Sequence, residues 1–297
     1  MKTYFIPKDF FKNLKLLNYN KNFISFPKIS IVIPSYNQAE FIERSILSVL
    51  NQDYPNIELI IIDGGSNDNT VEIIKRYQDN ITFWISEKDQ GQSDALNKGF
   101  KLCSGQIYGW LNSDDVYLPN AFKLVMSAFE KYSNKKVVFG DWLSIDKNDE
   151  VLDLNHAFDF SINHFKYEGF HLNAQSMFWR ESVHKKFSKF DINLYNTMDY
   201  QMILEFGINE GQKSFLRIPH LLGAFRRYKG QKTVGMNYKT TQEHKMLAER
   251  YNYEDKYKYI GVIKRFYFRV RRTFWYIKRG GLKNLIHRFR KSYNGKT

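Results

Sequence analysis

The sequence predicts an α/β protein built on a mainly parallel sheet with helices on both faces, followed by a basic helical C-terminal extension. Three observations carry this expectation. Short apolar runs alternate with helix-period segments between residues 29 and 132, the arrangement of strands joined by crossover helices. The run Ile57-Glu58-Leu59-Ile60-Ile61-Ile62 is almost purely apolar, as suits a strand covered on both sides. The net charge of +14 resides in one stretch: Lys256 to Thr297 holds fourteen Lys and Arg and no Asp or Glu, leaving 31 basic and 31 acidic residues before it.

The elements follow in order. Ile29 to Ile33 is a β-branched run closed by Pro34-Ser35-Tyr36-Asn37, a buried strand ending in a turn. Phe41, Ile42, Ser45, Ile46, Val49 and Leu50 recur at three- and four-residue steps, a helix with Asn37 or Gln38 near its start as a cap. The strand ending at Ile62 stops at Asp63-Gly64-Gly65-Ser66. Thr70 to Tyr77 reads as a helix, Ile81 to Ile85 as a strand, Ser93 to Leu102 as a helix and Ile107 to Leu111 as a strand. Pro119 opens a last apolar-periodic segment through Tyr132. This order brings Pro34 to Asn37, Asp63, the loop from Glu87 to Gly91 and the pair Asp114/Asp115 to one sheet edge. Open α/β sheets bind ligands outside the carboxyl ends of their strands.

The chemistry at that edge is carboxylate chemistry. Leu111-Asn112-Ser113-Asp114-Asp115 places two adjacent carboxylates at a strand end, a setting for Mg2+ or Mn2+, which prefer carboxylate oxygens and bridge to substrate phosphates. The same residues would also suit a cap for the following helix. Asp63 could accept hydrogen bonds from a ribose or a base N–H, or serve as a turn aspartate ahead of Gly64-Gly65. Neither a Gly-x-Gly-x-x-Gly fingerprint nor a Walker loop is present, so phosphate handling falls to a metal. One cysteine, Cys103, excludes a disulfide scaffold. The seven histidines lack zinc-site spacing, and no Gly-x-Ser-x-Gly elbow occurs.

With Ile31-Val32-Ile33-Pro34-Ser35-Tyr36-Asn37, Ser48 to Pro55, Ile62-Asp63-Gly64-Gly65-Ser66-Asn67-Asp68-Asn69-Thr70, Asp89-Gln90-Gly91 with Ala95-Leu96-Asn97-Lys98-Gly99, and Asn112-Ser113-Asp114-Asp115 in this order, the chain resembles the family 2 glycosyltransferases of GT-A fold. The resemblance covers about residues 29 to 145. It implies an inverting, Mn2+- or Mg2+-dependent transfer from a nucleotide diphosphate sugar to a hydroxyl of a glycan acceptor; uridine is the first choice of base, with guanosine and thymidine left open by Pro34, Asn37 and Asp63. By the same resemblance Pro34, Ser35, Tyr36 and Asn37 would line the nucleobase and ribose pocket, with Asp63 on the base and Asp89 nearby. Asp114 would lie close to the ribose and sugar, and Asp115 would be the main metal ligand. His171 to Arg180 resembles the stretch that puts a glutamine, here Gln175, near donor and acceptor. Asp199, ahead of Met202, Ile203 and Phe206, stands where the family keeps its catalytic base, and could instead be a helix N-cap. Arg226 to Thr233 resembles a later loop in which Arg226, Lys229 and Lys232 would face diphosphate and relatives often carry a histidine at the place of Tyr228. The rival readings are a metal-dependent nucleotidyltransferase, releasing pyrophosphate, and a membrane-binding protein with a degenerate sugar-nucleotide site.

The expected organisation is an aromatic and basic segment over residues 1–24, a catalytic domain over 25–245 with a nucleotide-sugar half (29–145) and an acceptor half (146–245), and a basic tail over 246–297. In the tail Ile263, Phe266, Tyr267, Val270, Phe274 and Ile277 share one helical face and Lys264, Arg265, Arg271, Arg272 and Lys278 another. Gly280-Gly281 should break the helix before a second stripe at Leu282, Leu285, Ile286 and Phe289. Such a helix fits the interface of an anionic bilayer, or its apolar face packs on the catalytic domain; nucleic acid is disfavoured, because nothing before the tail resembles a nucleic-acid module. No apolar stretch is long enough to span a bilayer, and Met1 to Phe26 lacks a signal-peptide core. The expected location is cytoplasmic, peripheral on the inner face of the membrane, with a lipid-linked saccharide as acceptor.

Overall fold

The computed structural model describes residues 26–169, 172–232, 237–255 and 258–294. The expected N-terminal segment over residues 1–24, together with His171 and Thr233, lies outside the described residues.

In chain order the elements are β1 (Ile29–Ser35), α1 (Ile42–Leu50), β2 (Ile57–Asp63), α2 (Thr70–Arg76), β3 (Phe83–Ser86), α3 (Gln92–Leu102), β4 (Ile107–Trp110), β5 (Val116–Tyr117), α4 (Ala121–Lys131), β6 (Val137–Ile145) and β7 (Val151–Asn155). The second half adds α5 (Ile162–Glu168), β8 (Met177–Arg180), α6 (Glu181–His184), α7 (Met198–Glu210), β9 (Phe215–Arg226), α8 (Asn237–Arg250) and α9 (Tyr259–Asn294). The sheet order is β3-β2-β1-β4-β8-β6-β9-β5, with β7 paired to β6. Strands β3, β2, β1 and β4 are mutually parallel, so their carboxyl ends form one edge. Beyond them β8 runs antiparallel between β4 and β6, β9 lies parallel to β6, and the short β5 pairs antiparallel with β9.

Burial follows from the alternation of side chains along each strand. Val32 points into a core shared with Leu96, Phe100, Trp110, Trp179, Tyr200 and Phe206. Its neighbours Ile31 and Ile33 point into the other core, with Ile42, Ile46, Phe122 and Phe178. Helices α3 and α7 thus cover one face and α1 and α4 the opposite face, as the sequence predicts. Helix α3 lies so close to the sheet that a Cβ at Gly99 would stand 2.4 Å from Cγ1 of Val32.

Several boundaries differ from expectation. The third strand begins at Phe83 rather than Ile81, because a 3-10 turn over Gln78–Asn80 spends Ile81 as a core plug, 7% exposed. Helix α4 starts after Asn120, whose φ of 62° ends the preceding turn; no side chain caps it, so Ser113, Asp114 and Asp115 are not its cap. The domain boundary set after residue 245 falls inside α8, where Leu247 is fully buried. Helix α9 runs through Gly280-Gly281 without interruption. No helix of the described residues is long and apolar enough to cross a membrane.

Candidate active site

The carboxyl edge of β1 to β4 gathers the residues that the sequence singled out. Ser35 is paired with Asp63 in the β1–β2 register, and Asp63 with Ser86 in β2–β3. The Ser35 hydroxyl is buried and has no protein partner. Buried polar groups are normally satisfied, so an orphan at a sheet's ligand edge is a place for a ligand atom. Pro34 precedes it in the strand, Tyr36 is 58% exposed, and Asn37 adopts a left-handed φ of 51°. The Asn37 side chain accepts the Asn67 N–H at 2.9 Å, while its own N–H donates to Ser66 Oγ at 2.7 Å. The β1 and β2 loops are thereby tied together.

Asp63 has a different place from the one expected. Its carboxylate is fully buried and accepts from Gly65 N–H (3.2 Å), Ser66 N–H (2.9 Å), Ser66 Oγ (2.6 Å) and Ser86 Oγ (2.7 Å). Its lone pairs are engaged in folding the loop that follows β2. Asp89 lies beside that loop. A Cβ at Gly64 would come within 2.8 Å of its Oδ2, and its Oδ1 accepts the Gly91 N–H at 2.8 Å. Burial, then the charges of Asp94 and Asp63, raise its carboxyl above the ordinary range.

The two adjacent aspartates make different contacts. Asp115 is fully buried; Oδ1 accepts the Arg226 N–H at 2.8 Å and Oδ2 the Asn112 amide at 3.1 Å. Burial first, then the neighbouring Asp114, push its carboxyl well above the usual range. Asp115, expected as the main metal ligand, here ties the end of β9 to this turn. Asp114 keeps exposed surface and accepts a hydrogen bond from the Tyr228 hydroxyl at 3.1 Å. Its carboxyl is raised by burial, opposed by Tyr228 and Arg226. The Tyr228 ring packs 4.7 Å from that of Phe41, so Tyr228 spans from the chain after β1 to Asp114.

Arg226, expected to face diphosphate, is buried with no exposed surface. Its Nε donates to the Asp114 carbonyl at 2.7 Å and Nη1 to the Asp146 carbonyl at 2.8 Å, and Nη1 stands 2.6 Å from Asp149 Oδ1. Its guanidinium lies 4.8 Å from the Phe41 ring centroid. Arg44 of α1 pairs with the other oxygen of Asp149. Lys229 remains exposed.

Lys232 reaches inward. Its Nζ donates to Gln92 Oε1 at 3.1 Å and sits 4.4 Å from the Tyr195 ring centroid. Gln92 in turn donates to Asn112 Oδ1 at 2.8 Å, which also accepts Trp110 Nε1 at 2.9 Å. Burial lowers the Lys232 amine to about 8, against the raising pull of Asp199, Glu243 and Asp89. Asp199, in the first turn of α7, has its carboxyl raised to about 7 by burial, with Lys232 acting in the opposite direction. Its Oδ1 accepts the N–H of Tyr200, and Thr197 holds the N-cap position without a side-chain cap bond, so Asp199 is not the cap. Gln175 is buried with both amide atoms lacking a protein partner. It rests on Gly223, where a Cβ would meet the Gln175 carbonyl at 2.4 Å, and Gly223 pairs with Tyr117 just beyond Asp115.

Sequence reasoning missed four contributors. Gln92 and Asn112 relay between Lys232 and the aspartate turn; Gln92 had a signal, since it opens a helix straight after Gly91. Asp149, in the β6–β7 turn, answers the charge of Arg226. Glu243 of α8 accepts Tyr195 N–H (2.8 Å), Asn196 N–H (3.0 Å) and Thr197 Oγ1 (2.9 Å), fixing the chain that leads into Asp199.

The model for Glycosyl transferase family 2 matches residues 30–187, more than half of the chain. This chain belongs to the family 2 glycosyltransferases. The matched span of this glycosyltransferase begins in β1 and ends after β8, so it contains the aspartate turn and Gln175 but neither Asp199 nor β9. A curated relative, the UDP-Glc:alpha-D-GlcNAc-diphosphoundecaprenol beta-1,3-glucosyltransferase WfgD of Escherichia coli, is 35% identical over 124 residues, 41% of this chain and 49% of the relative. The chain spans from 19% to 58% of the length of the first curated relatives it matches. Two solved structures share the fold: S. aureus TarS residues 1–349 in complex with UDP-GlcNAc (TM-score 0.57, 16% identity, 70% of this chain and 61% of that one), and the mannosyltransferase PcManGT from Pyrobaculum calidifontis in complex with GDP-Man and Mn2+ (TM-score 0.55, 15% identity, 75% and 64%). The glycosyltransferase therefore has a GT-A-like fold.

Proposed function

We propose that this glycosyltransferase moves a sugar, with inversion, from a UDP-linked donor to a hydroxyl of a lipid-linked glycan acceptor in cell-surface polysaccharide assembly, working peripherally at the cytoplasmic face of the membrane. The observation that carries the reading is the hydrogen-bonded chain Lys232, Gln92, Asn112 and the aspartate turn, with Asp199 near enough for the Lys232 charge to act on it. The names of WfgD and TarS, with UDP-Glc and UDP-GlcNAc, support the choice of uridine, and that of WfgD supports a lipid diphosphate acceptor.

In this reading the orphaned Ser35 hydroxyl, Pro34, Tyr36 and Asn37 take the nucleoside, with Asp89 on the pocket floor. Asp199 is the general base: a carboxyl raised to about 7 accepts the proton of an acceptor hydroxyl near neutral pH. The acceptor oxygen forms its bond to the anomeric carbon as the carbon–diphosphate bond breaks; one displacement inverts an α-linked donor to a β-linked product. No carboxylate nucleophile is needed. Lys232 meets the leaving diphosphate as a cation, and Gln175 offers its amide to donor or acceptor.

A divalent ion fits Asp114 better than Asp115, because Asp114 retains accessible surface while both Asp115 oxygens are engaged in the interior. Among the described residues no cluster of three or more His, Cys, Asp or Glu forms a closed cage. One carboxylate, with further ligands from water and substrate phosphates, is the manner in which Mg2+ and Mn2+ are held beside nucleotides. Bound there, the ion would stabilise charge growing on the leaving phosphate. Calorimetry with UDP, GDP, dTDP and CMP, in Mn2+ and in EDTA, tests the reading. Metal-dependent binding of UDP, lost in Asp114→Asn, is the expected result; binding of none of the four, or the same affinity in EDTA, would overturn it.

A further inference from the structure

Helix α9 docks through the side opposite to the one its sequence pattern would bury. Its inward face consists of Phe268, Trp275 and basic side chains. Phe268 is 8% exposed and its ring stacks parallel to that of Tyr167 at 5.9 Å. Trp275 packs 5.7 Å from Phe158, with Arg217 lying over it. Glu168 at the end of α5 binds Arg269 at 3.0 Å and Arg272 at 3.1 Å, while Lys264 pairs with Glu254. The apolar stripe is left facing outward. Tyr259 (82%), Ile263 (53%), Phe266 (68%), Val270 (38%) and Phe274 (67%) are exposed at three- and four-residue steps, with Ile260, Val262 and Tyr267 beside them. A soluble monomer rarely presents so continuous an apolar surface without a partner.

We propose that this outward stripe is a bilayer-binding face, lying in the interfacial region of an anionic membrane with the helix axis in the membrane plane. The charge chooses the occupant. With no Asp or Glu from Lys256 to Thr297, two copies of this helix placed face to face would bring only like charges together, whereas anionic headgroups complement them. The inward ion pairs leave Arg271 exposed beside the stripe. At 36 residues α9 is about 54 Å long, and its aromatic content suits the headgroup level rather than the hydrocarbon core.

The docking also reaches the site. Helix α9 packs on α5, and α5 on α7, where the Phe165 and Tyr200 rings stack at 4.5 Å and the Tyr200 hydroxyl meets the Phe165 carbonyl at 3.2 Å. Tyr200 adjoins Asp199. The membrane face is therefore braced to the part of the cleft where an acceptor hydroxyl would be activated; this last link rests on the transfer reaction proposed above, and the outward stripe names the surface behind its peripheral placement.

Sedimentation of the full chain with phosphatidylcholine vesicles, with and without phosphatidylglycerol, tests the inference, using Phe266→Ser/Phe274→Ser as the comparison. Both side chains are mostly exposed, so thermal melting of the variant should match the parent. The parent should bind the anionic vesicles, more weakly at high salt, and the variant should bind about tenfold or more weakly. Absence of parent binding, equal binding by the variant, or a dimer in light scattering that the variant dissociates without any vesicle binding would overturn it. UDP binding, measured in parallel, separates the two readings: vesicle binding without UDP binding sinks the transferase site alone, and the reverse sinks the membrane face alone.

Discussion

Arg226 and Asp149 form an ion pair in which neither side chain has any exposed surface, with Nη1 and Oδ1 2.6 Å apart. Through it the β6–β7 turn, the end of β9 and the aspartate turn become one rigid unit, since Arg226 also holds the Asp114 carbonyl and, by its own N–H, the Asp115 carboxylate. Removing Arg226 leaves Asp149 with Arg44 alone and the buried Asp114 and Asp146 carbonyls without their donor. Arg226→Met should destabilise the protein by about 3 kcal/mol, measured by urea unfolding. Arg226→Lys should recover only part of this, because an ammonium cannot serve the Asp114 carbonyl, the Asp146 carbonyl and Asp149 in the plane of a guanidinium.

Asp114 and Asp115 should separate by experiment. Asp114→Asn is expected to abolish metal-dependent nucleotide binding while leaving the melting temperature nearly unchanged. Asp115→Ala should lower stability by about 1 to 3 kcal/mol, because the Arg226 N–H and the Asn112 amide lose a buried acceptor. A stable Asp115→Ala protein that no longer responds to Mn2+, beside an Asp114→Asn protein that still does, would return the ion to Asp115.

The pH dependence follows from Asp199 and Lys232. The base form of Asp199 appears as pH rises through about 7, and the cation of Lys232 is lost as pH rises through about 8. The kcat/KM profile should be a narrow bell with limbs near those two values. Asp199 also carries a stability consequence. Its carboxyl is raised above that of the unfolded chain, so its ionisation costs folding free energy once pH exceeds the ordinary carboxylate range, and the full cost is present above about 7. Asp199→Asn should therefore be inactive in transfer and more stable than the parent at pH 8, by about 1 to 3 kcal/mol.

Tyr228→Phe deletes the hydroxyl that donates to Asp114 and lowers its carboxyl. Metal-dependent UDP binding should weaken by about ten- to a hundredfold, roughly the net worth of one hydrogen bond to a charged group, and most strongly at low pH. Titration at pH 6 and pH 8 checks the sign.

Glu243 acts through the chain it holds. Glu243→Ala leaves Tyr195 N–H, Asn196 N–H and the Thr197 hydroxyl without their acceptor and frees the segment ahead of Asp199. We expect kcat to fall with little change in donor KM; Glu243→Gln, which keeps an acceptor oxygen, should restore part of the rate.

The legible parts of this chain were those in which one residue's neighbours determine its place. Strands β1, β2 and β4 are apolar runs long enough to declare themselves, and none of the strands after β4 was read from the sequence; among them Val116-Tyr117 is too short and Val-Leu-Asp-Leu-Asn too polar to stand out. At the site, residue type and sheet edge could be read, and side-chain direction could not. Asp63 turns into its own loop, and Asp115 turns inward to meet an N–H 111 positions later. No local pattern specifies that partner, nor that the apolar stripe of α9 would face outward once Glu168 had claimed its arginines.

The Asp115–Arg226 bond has a consequence for biosynthesis. The four parallel strands and the aspartate turn leave the ribosome long before β9, which must then insert between β5 and β6 to supply that N–H. Pairings of such sequence separation form late. A nascent chain that has already folded the loops after β1 and β2 thus holds an unanchored pair of carboxylates, and these are anchored only when β9 joins the sheet. Pulse-labelled chains arrested before residue 226 should be protease-resistant through β4 and silent toward nucleotide.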